Sequence, residues 1–152
     1  MNEQLELTLT NQRSAVASLQ DQLEAFARHH RLAAGVLHAL QLALEEHLTN
    51  LLAYGYDDAL EHPIRVRLCL EAAELRVEVE DDGHPFNPLE RPAPDLSLPL
   101  DERPIGGLGI YMMRKALDRM EYRRADGKNI LVMIKWLEAA ERPPHDTSAG
   151  NS

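Results

Sequence analysis

The chain has 152 residues, 44% of them apolar and 27% charged, an ordinary balance for one globular domain that buries a core without staples. Its formal net charge of -9 lacks the basic footprint of a nucleic-acid binder, although backbone N–H groups and a metal ion still permit a nucleotide. The single cysteine, Cys69, excludes an internal disulfide and a cysteine-based zinc cluster, and its place among alternating apolar residues marks it as a core side chain.

Leu5, Leu7 and Leu9 alternate with polar residues and predict a half-buried strand. Val16, Leu19, Leu23 and Phe26 then recur at helical spacing, which predicts a helix over 13–30 capped by Thr10 or Asn11. A long helix follows from Leu32 to Tyr54, ending near Gly55. Ile64, Val66, Leu68 and Leu70 make a second strand after Pro63; Leu75, Val77 and Val79 make a third. The short link at Ala72-Ala73-Glu74 predicts that these two pair antiparallel.

From Asp82 to Pro104 periodicity disappears and prolines accumulate, the signature of a long loop that is functional or disordered. Helical spacing returns from Gly107 to Met120, with Ile110, Met113 and Leu117 on one face. Tyr122–Arg124 and Asn129–Leu137 read as a hairpin turning at Asp126-Gly127, with Ile130, Val132, Ile134 and Trp136 pointing one way. Residues 138–152 are polar and rich in small side chains, so the expectation is a domain over 1–137 and a disordered tail over 138–152. Mixed helices and antiparallel strands predict an α+β two-layer sandwich, its mostly antiparallel sheet carrying about three helices on one face. No apolar run approaches the roughly 20 residues of a membrane span, and the N-terminus lacks the charge and apolar stretch of a signal peptide. The expected location is the cytoplasm, with no membrane partner.

Three short segments carry chemistry. On the long helix, Glu46 and Asn50 lie one turn apart, roughly 200–240° around from Leu44 and off the leucine stripe. Such a pair is often just solvated. It also suits a hard cation on the Asn50 oxygen, with Glu46 facing a terminal phosphate as a base. His47 beside Glu46 does not make a His-Glu-x-x-His zinc site. Asp81-Asp82-Gly83 follows the third strand, where a plain turn is the bland reading. In the functional reading Asp81 accepts a hydrogen bond from an adenine amino group, Gly83 leaves room for the base and Phe86 walls it. Gly106-Gly107-Leu108-Gly109 opens the third helix, whose free N–H groups and dipole favour anions. No Gly-Lys-Ser/Thr follows, so this is not a P-loop, and no βαβ unit surrounds it.

These segments resemble the small serine-protein kinases and anti-sigma factors of bacterial partner-switching systems, the SpoIIAB and RsbW type within the GHKL superfamily of ATPases. The matching stretches are Leu42–Tyr56, Val79–Pro88 and Pro104–Asp118, in the same order and spacing. The resemblance implies the GHKL (Bergerat) ATP-binding fold, ATP/ADP and Mg²⁺ as cofactors, Asn50 as the Mg²⁺ ligand and Glu46 as general base. It implies that Asp81 and Gly83 recognise adenine and that Gly106, Gly107, Leu108 and Gly109 lie at the phosphates. Residues 91–104 correspond to the ATP lid, with Arg103 where a lid cation meets the γ-phosphate. Asp82 stands where Asn is commoner, and His84-Pro85 replaces a more glycine-rich stretch.

The implied activity is phosphorylation of a STAS-domain anti-anti-sigma protein, together with binding of a sigma factor or another regulator, by a homodimer. The rival reading is a nucleotide-gated binding module that sequesters its partner without phosphoryl transfer. An ATPase driving its own conformational cycle fits less well, because the sequence shows no transducer domain to move.

Overall fold

A computed structural model describes residues 3–90 and 107–138 of the chain. In chain order the elements are β1 (Glu3–Thr10), α1 (Arg13–His29), α2 (Ala34–Tyr54), β2 (Pro63–Leu70), β3 (Glu74–Asp81), α3 (Gly107–Ala116), β4 (Arg119–Ala125) and β5 (Lys128–Trp136). A short 3-10 turn at Pro88–Glu90 sits in the segment after β3. The five strands form one sheet in the order β1-β2-β3-β5-β4, and each neighbouring pair is antiparallel.

Strand alternation divides this sheet into two chemically different faces. Leu5, Leu7 and Leu9 of β1, Ile64 to Leu70 at alternate positions of β2, Leu75 to Val79 of β3, and Leu131 and Met133 of β5 face the helices. Leu40, Leu44 and Leu48 of α2 meet them, and all three are almost wholly buried. Helix α2 is flanked by α1 and α3. This is the two-layer α+β sandwich that the sequence implies.

The opposite face is charged. Arg65 and Arg67 reach Glu6, Glu80 and Glu78 across three strands, and Arg123 and Lys128 join the same carboxylates from the other side. Within this carpet the second stripe of β5, Ile130, Val132 and Ile134, forms its own small apolar cluster, while Trp136 stays 57% exposed. Long charged side chains cover the stripe with their aliphatic stems. Cys69 is buried as expected, but in the outward phase of β2, between Gln4 and Glu71.

Two local expectations are corrected. Helix α1 starts without a side-chain cap: the N-cap residue is Gln12. Asn11 instead pins the segment before β2, donating to the Leu60 carbonyl at 3.2 Å and accepting from the His62 N–H at 2.8 Å. Helix α3 ends at Ala116 rather than running to Met120. The Asp118 N–H donates to the Ile134 carbonyl and its carboxylate accepts the Trp136 N–H, so the chain is recruited into the sheet at that point. Met120, the expected last residue of that helix, packs against the core from β4 instead, alongside Tyr122.

The β4–β5 hairpin turns at Asp126-Gly127, with φ of 53° and 75°. Two consecutive positive φ values define the primed turn whose twist matches paired strands. A β-branched residue is strained there, so Gly127→Val should lower the free energy of unfolding by about 1–2 kcal/mol, read from urea denaturation.

Candidate nucleotide-binding site

Helix α2 places His47, Asn50, Leu51 and Tyr54 at positions i, i+3, i+4 and i+7, which lie on one face. That face forms one wall of a cavity of about 220 Å³. Asp81 and Asn129 close its inner end, and His84, Pro85 and Phe86 form the wall opposite α2. Of the sequence-predicted residues, Asn50, Asp81 and Phe86 are therefore brought together here.

Asp81 ends β3 in the inward phase and is only 2% exposed. Burying a carboxylate demands hydrogen bonds, and the fold supplies them on one oxygen. Oδ1 accepts the Gly83 N–H at 2.9 Å and the Asn129 side-chain amide at 2.9 Å. Among the described residues no hydrogen bond reaches Oδ2, and Asp81 lines the cavity. Desolvation raises the Asp81 pKa above its ordinary value; the Asn129 and Gly83 hydrogen bonds and the Arg124 charge oppose that rise.

Asn129 had no role in the sequence reading, yet it holds this end of the site together. Its amide also donates to the His84 carbonyl at 2.7 Å, and its oxygen accepts from the Phe86 N–H at 3.3 Å and from the Tyr122 hydroxyl. Arg124 adds a hydrogen bond to the Gly83 carbonyl at 2.8 Å. The loop after β3 is thus fastened to the neighbouring strand β5 by Asn129 and to β4, two strands away in sheet order, by Arg124. The signal in the sequence is a polar residue in the inward phase of a strand, two positions before Leu131.

Gly83 is required by close approach. A Cβ at that position would lie 2.7 Å from the Gly55 carbonyl oxygen. The same carbonyl accepts the His84 N–H at 2.8 Å, so the end of α2 and the loop after β3 are locked backbone to backbone. His62 strengthens the link, with Nε2 2.7 Å from Asp58 and Nδ1 3.0 Å from Asp82. The hydrogen bonds to Asp58 and then Asp82 raise the His62 pKa.

Glu46 points away from the cavity's inner end, toward the start of α3. A Cβ on Gly109 would fall 2.0 Å from Glu46 Oε2, so the carboxylate rests directly on the backbone of that helical turn. The structure therefore brings Glu46 and the glycine cluster together, which the sequence could only align. Gly107 and Leu108 form the first residues of α3. Gly106 and Arg103, the lid over 91–104 and the tail from 139 onward lie outside the described residues. Among the described residues no group of three or more His, Cys, Asp or Glu side chains is arranged to hold a metal ion. No described helix is long and apolar enough to cross a membrane.

The family model for the histidine kinase-like ATPase domain matches residues 9–135, and the chain belongs to that family, among the serine-protein kinases of the RsbW type. It is 29% identical over 113 residues to the serine/threonine-protein kinase BtrW of Bordetella bronchiseptica, covering 73% of this chain and 78% of that one. It is 30% identical over 117 residues to the serine-protein kinase RsbW of Bacillus velezensis, covering 74% and 71%. The fold matches a crystal structure of the RsbU and RsbW domains of a Mycobacterium tuberculosis protein, with a TM-score of 0.66 at 17% identity over 95% of this chain. The chain spans about a third, 35%, of that longer protein.

His47 is 5% exposed, and burial lowers its pKa from 6.5 to about 4. The unfolded chain binds a proton below pH 6.5 and the folded chain resists it, so the stability contributed by the neutral imidazole is full above 6.5. It is lost progressively as pH falls toward 4. Urea unfolding at pH 7.5 and 4.5 should show wild type losing roughly 2–3 kcal/mol more than His47→Leu over that interval.

Proposed function

We propose that this chain is an ATP-dependent kinase that phosphorylates a serine or threonine of a STAS-domain anti-anti-sigma protein and binds a sigma factor or another regulator in alternation with it. The supporting observation is the buried Asp81 carboxylate, with one oxygen tied to Asn129 and Gly83, lining the same cavity as Asn50.

An exocyclic amino group donates to Asp81 Oδ2, the base enters over Gly83, and Phe86 packs against it. The phosphates extend along α2 toward the start of α3, where Gly107, Leu108 and Gly109 present backbone N–H groups and the positive end of a helix dipole. The donor set fits Mg²⁺: Asn50 would supply one oxygen to the ion, a hard cation that takes oxygen ligands. When bound, the ion offsets phosphate charge. Arg103 is assigned to the γ-phosphate from the lid, outside the described residues.

Glu46 is the base. It lies one turn before Asn50 and against Gly109, so a hydroxyl brought to the phosphate end meets its carboxylate. Phosphoryl transfer depends chiefly on positioning and electrostatic stabilisation, so few protein groups suffice. The new phosphate adds about -1.5 to -2 charges to the partner. Against a kinase of net charge -9, this favours release and so drives the exchange of partners. The setting proposed is a cytoplasmic homodimer without nucleic acid or membrane, with the ATP-binding domain over 1–137 and 138–152 as a tail.

Transfer of label from Mg-ATP to candidate STAS proteins of the same genome checks this. Glu46→Ala should cut transfer about 10²–10⁴-fold while nucleotide still binds. Asn50→Ala should abolish transfer in ordinary Mg²⁺. Tight nucleotide binding with no transfer in wild type would favour the sequestering module.

A further inference from the structure

Both nitrogens of the His62 ring meet a carboxylate. Nε2 lies 2.7 Å from Asp58 Oδ1, and Nδ1 lies 3.0 Å from Asp82 Oδ1. An ionised carboxylate only accepts hydrogen bonds, and a neutral imidazole carries a single N–H. Two hydrogen bonds at these distances need both nitrogens protonated, so the bridge is made by the imidazolium. Asp58 stays ionised in it: the hydrogen bond from His62, and then that from the Leu60 N–H, holds its carboxyl below the ordinary value. The bridge joins two separate segments, since Asp58 belongs to the link between α2 and β2 and Asp82 stands between Asp81 and Gly83. The ring is itself held in place. It stacks on Tyr56 with centroids 4.4 Å apart, and the His62 backbone N–H donates to Asn11.

We propose that His62 is a positioning residue of the nucleotide site, an imidazolium bridge that holds the loop after β3 against the end of α2. This rests on the ATP-binding reading, and His62 acts through Asp82 rather than on the nucleotide. His84, Pro85 and Phe86 of that loop form one wall of the cavity and α2 forms the other, so pinning Asp82 beside Asp58 helps fix the spacing of the walls. The bond from the His84 N–H to the Gly55 carbonyl ties the same segments at any pH. The bridge adds a part that depends on one proton. Once His62 is neutral, one ring nitrogen is an acceptor facing a carboxylate oxygen, and that contact turns repulsive. The loop then stays closed in only a fraction of molecules, and the apparent nucleotide affinity falls by that fraction. The charged groups on the ring are Asp58 and Asp82. Tyr56 covers one face, Glu61 beside it is engaged by Gln12, and His84, paired with Asp57 at 2.9 Å, adds its charge near Asp58. The hydrogen bonds to Asp58 and then Asp82 raise the His62 pKa above 6.5. The bridge is therefore fully formed below pH 6.5 and is lost as pH rises through that raised value.

The test is calorimetric titration of Mg-ATP into the full chain at pH 6.0 and pH 9.0, as wild type, His62→Gln, Asp82→Asn, the double variant and Asp81→Asn, with Tm recorded for each. Protonation of the nucleotide affects every variant alike, so the readout is the ratio of wild-type to variant affinity at each pH. Wild type is expected to bind about 3–5-fold more tightly than His62→Gln at pH 6.0 and nearly equally at pH 9.0. In the Asp82→Asn background, His62→Gln should change the affinity at neither pH. If His62→Gln does not fold, Asp82→Asn alone should show the same loss at pH 6.0 and recovery of the ratio at pH 9.0. The inference is overturned if the folded variant binds as wild type does at pH 6.0. It is overturned equally if the variant is weaker by one factor at both pH values, which is what a plain packing role gives. If wild type binds no ATP, or Asp81→Asn binds it unchanged, the nucleotide reading itself fails and this inference with it.

Discussion

A carboxylate that ends a strand on the core side of a sheet stays there only if its environment replaces the water it has lost. Asp81 meets that condition through one oxygen. Gly83 and Asn129 hold Oδ1, and Asn129 in turn needs Tyr122 and Phe86 to satisfy its own oxygen. The order of the central strands, β3 next to β5 next to β4, is what puts these residues side by side. In this way the polar end of the cavity depends on sheet topology, and the topology on the primed turn that lets β4 and β5 pair. Partly satisfied polar clusters are costly, so the dense hydrogen bonding around Asn129 is what keeps this end of the cavity folded.

The two faces of the sheet divide the labour. The helix-facing side supplies a close-packed aliphatic core that fixes α2 in position. Because α2 is held along its leucine stripe, its adjacent face is rigid enough to present Asn50 and His47 to the cavity and Glu46 to α3. The outward side carries alternating ion pairs between half-exposed groups. Each such pair contributes little on its own, and because each joins one positive to one negative group the set leaves the net charge of the chain unchanged.

Much of this was legible in the sequence because periodicity reports burial directly. The strand and helix alternations located β2, β3 and α2 within a residue or two, and the Asp-Gly pair located the hairpin. Helix α3 was overextended, since Leu117 and Met120 continue the helical spacing of Ile110 and Met113, and only the pairing of Asp118 with β5 ends it. Asn129 was missed because its partners are 43 to 48 residues away or across a hairpin, contacts that no local pattern encodes. The approach of Gly109 to Glu46 is likewise non-local: the glycine cluster suggested phosphate binding, but only the packing of α2 against α3 shows which carboxylate it must accommodate. His47 was considered only as a zinc ligand, because burial of one helix residue among polar neighbours is invisible until the cavity is formed.

The account turns on nucleotide entering between α2 and the loop after β3. Backbone amide resonances followed during titration with Mg-ATP test this most directly. The predicted result is a set of large shifts at Gly83, His84, Asn129 and Gly109, with Arg123 and Val132 on the outward face of the sheet unmoved. Shifts confined to that outward face, or none at saturating nucleotide, would contradict it.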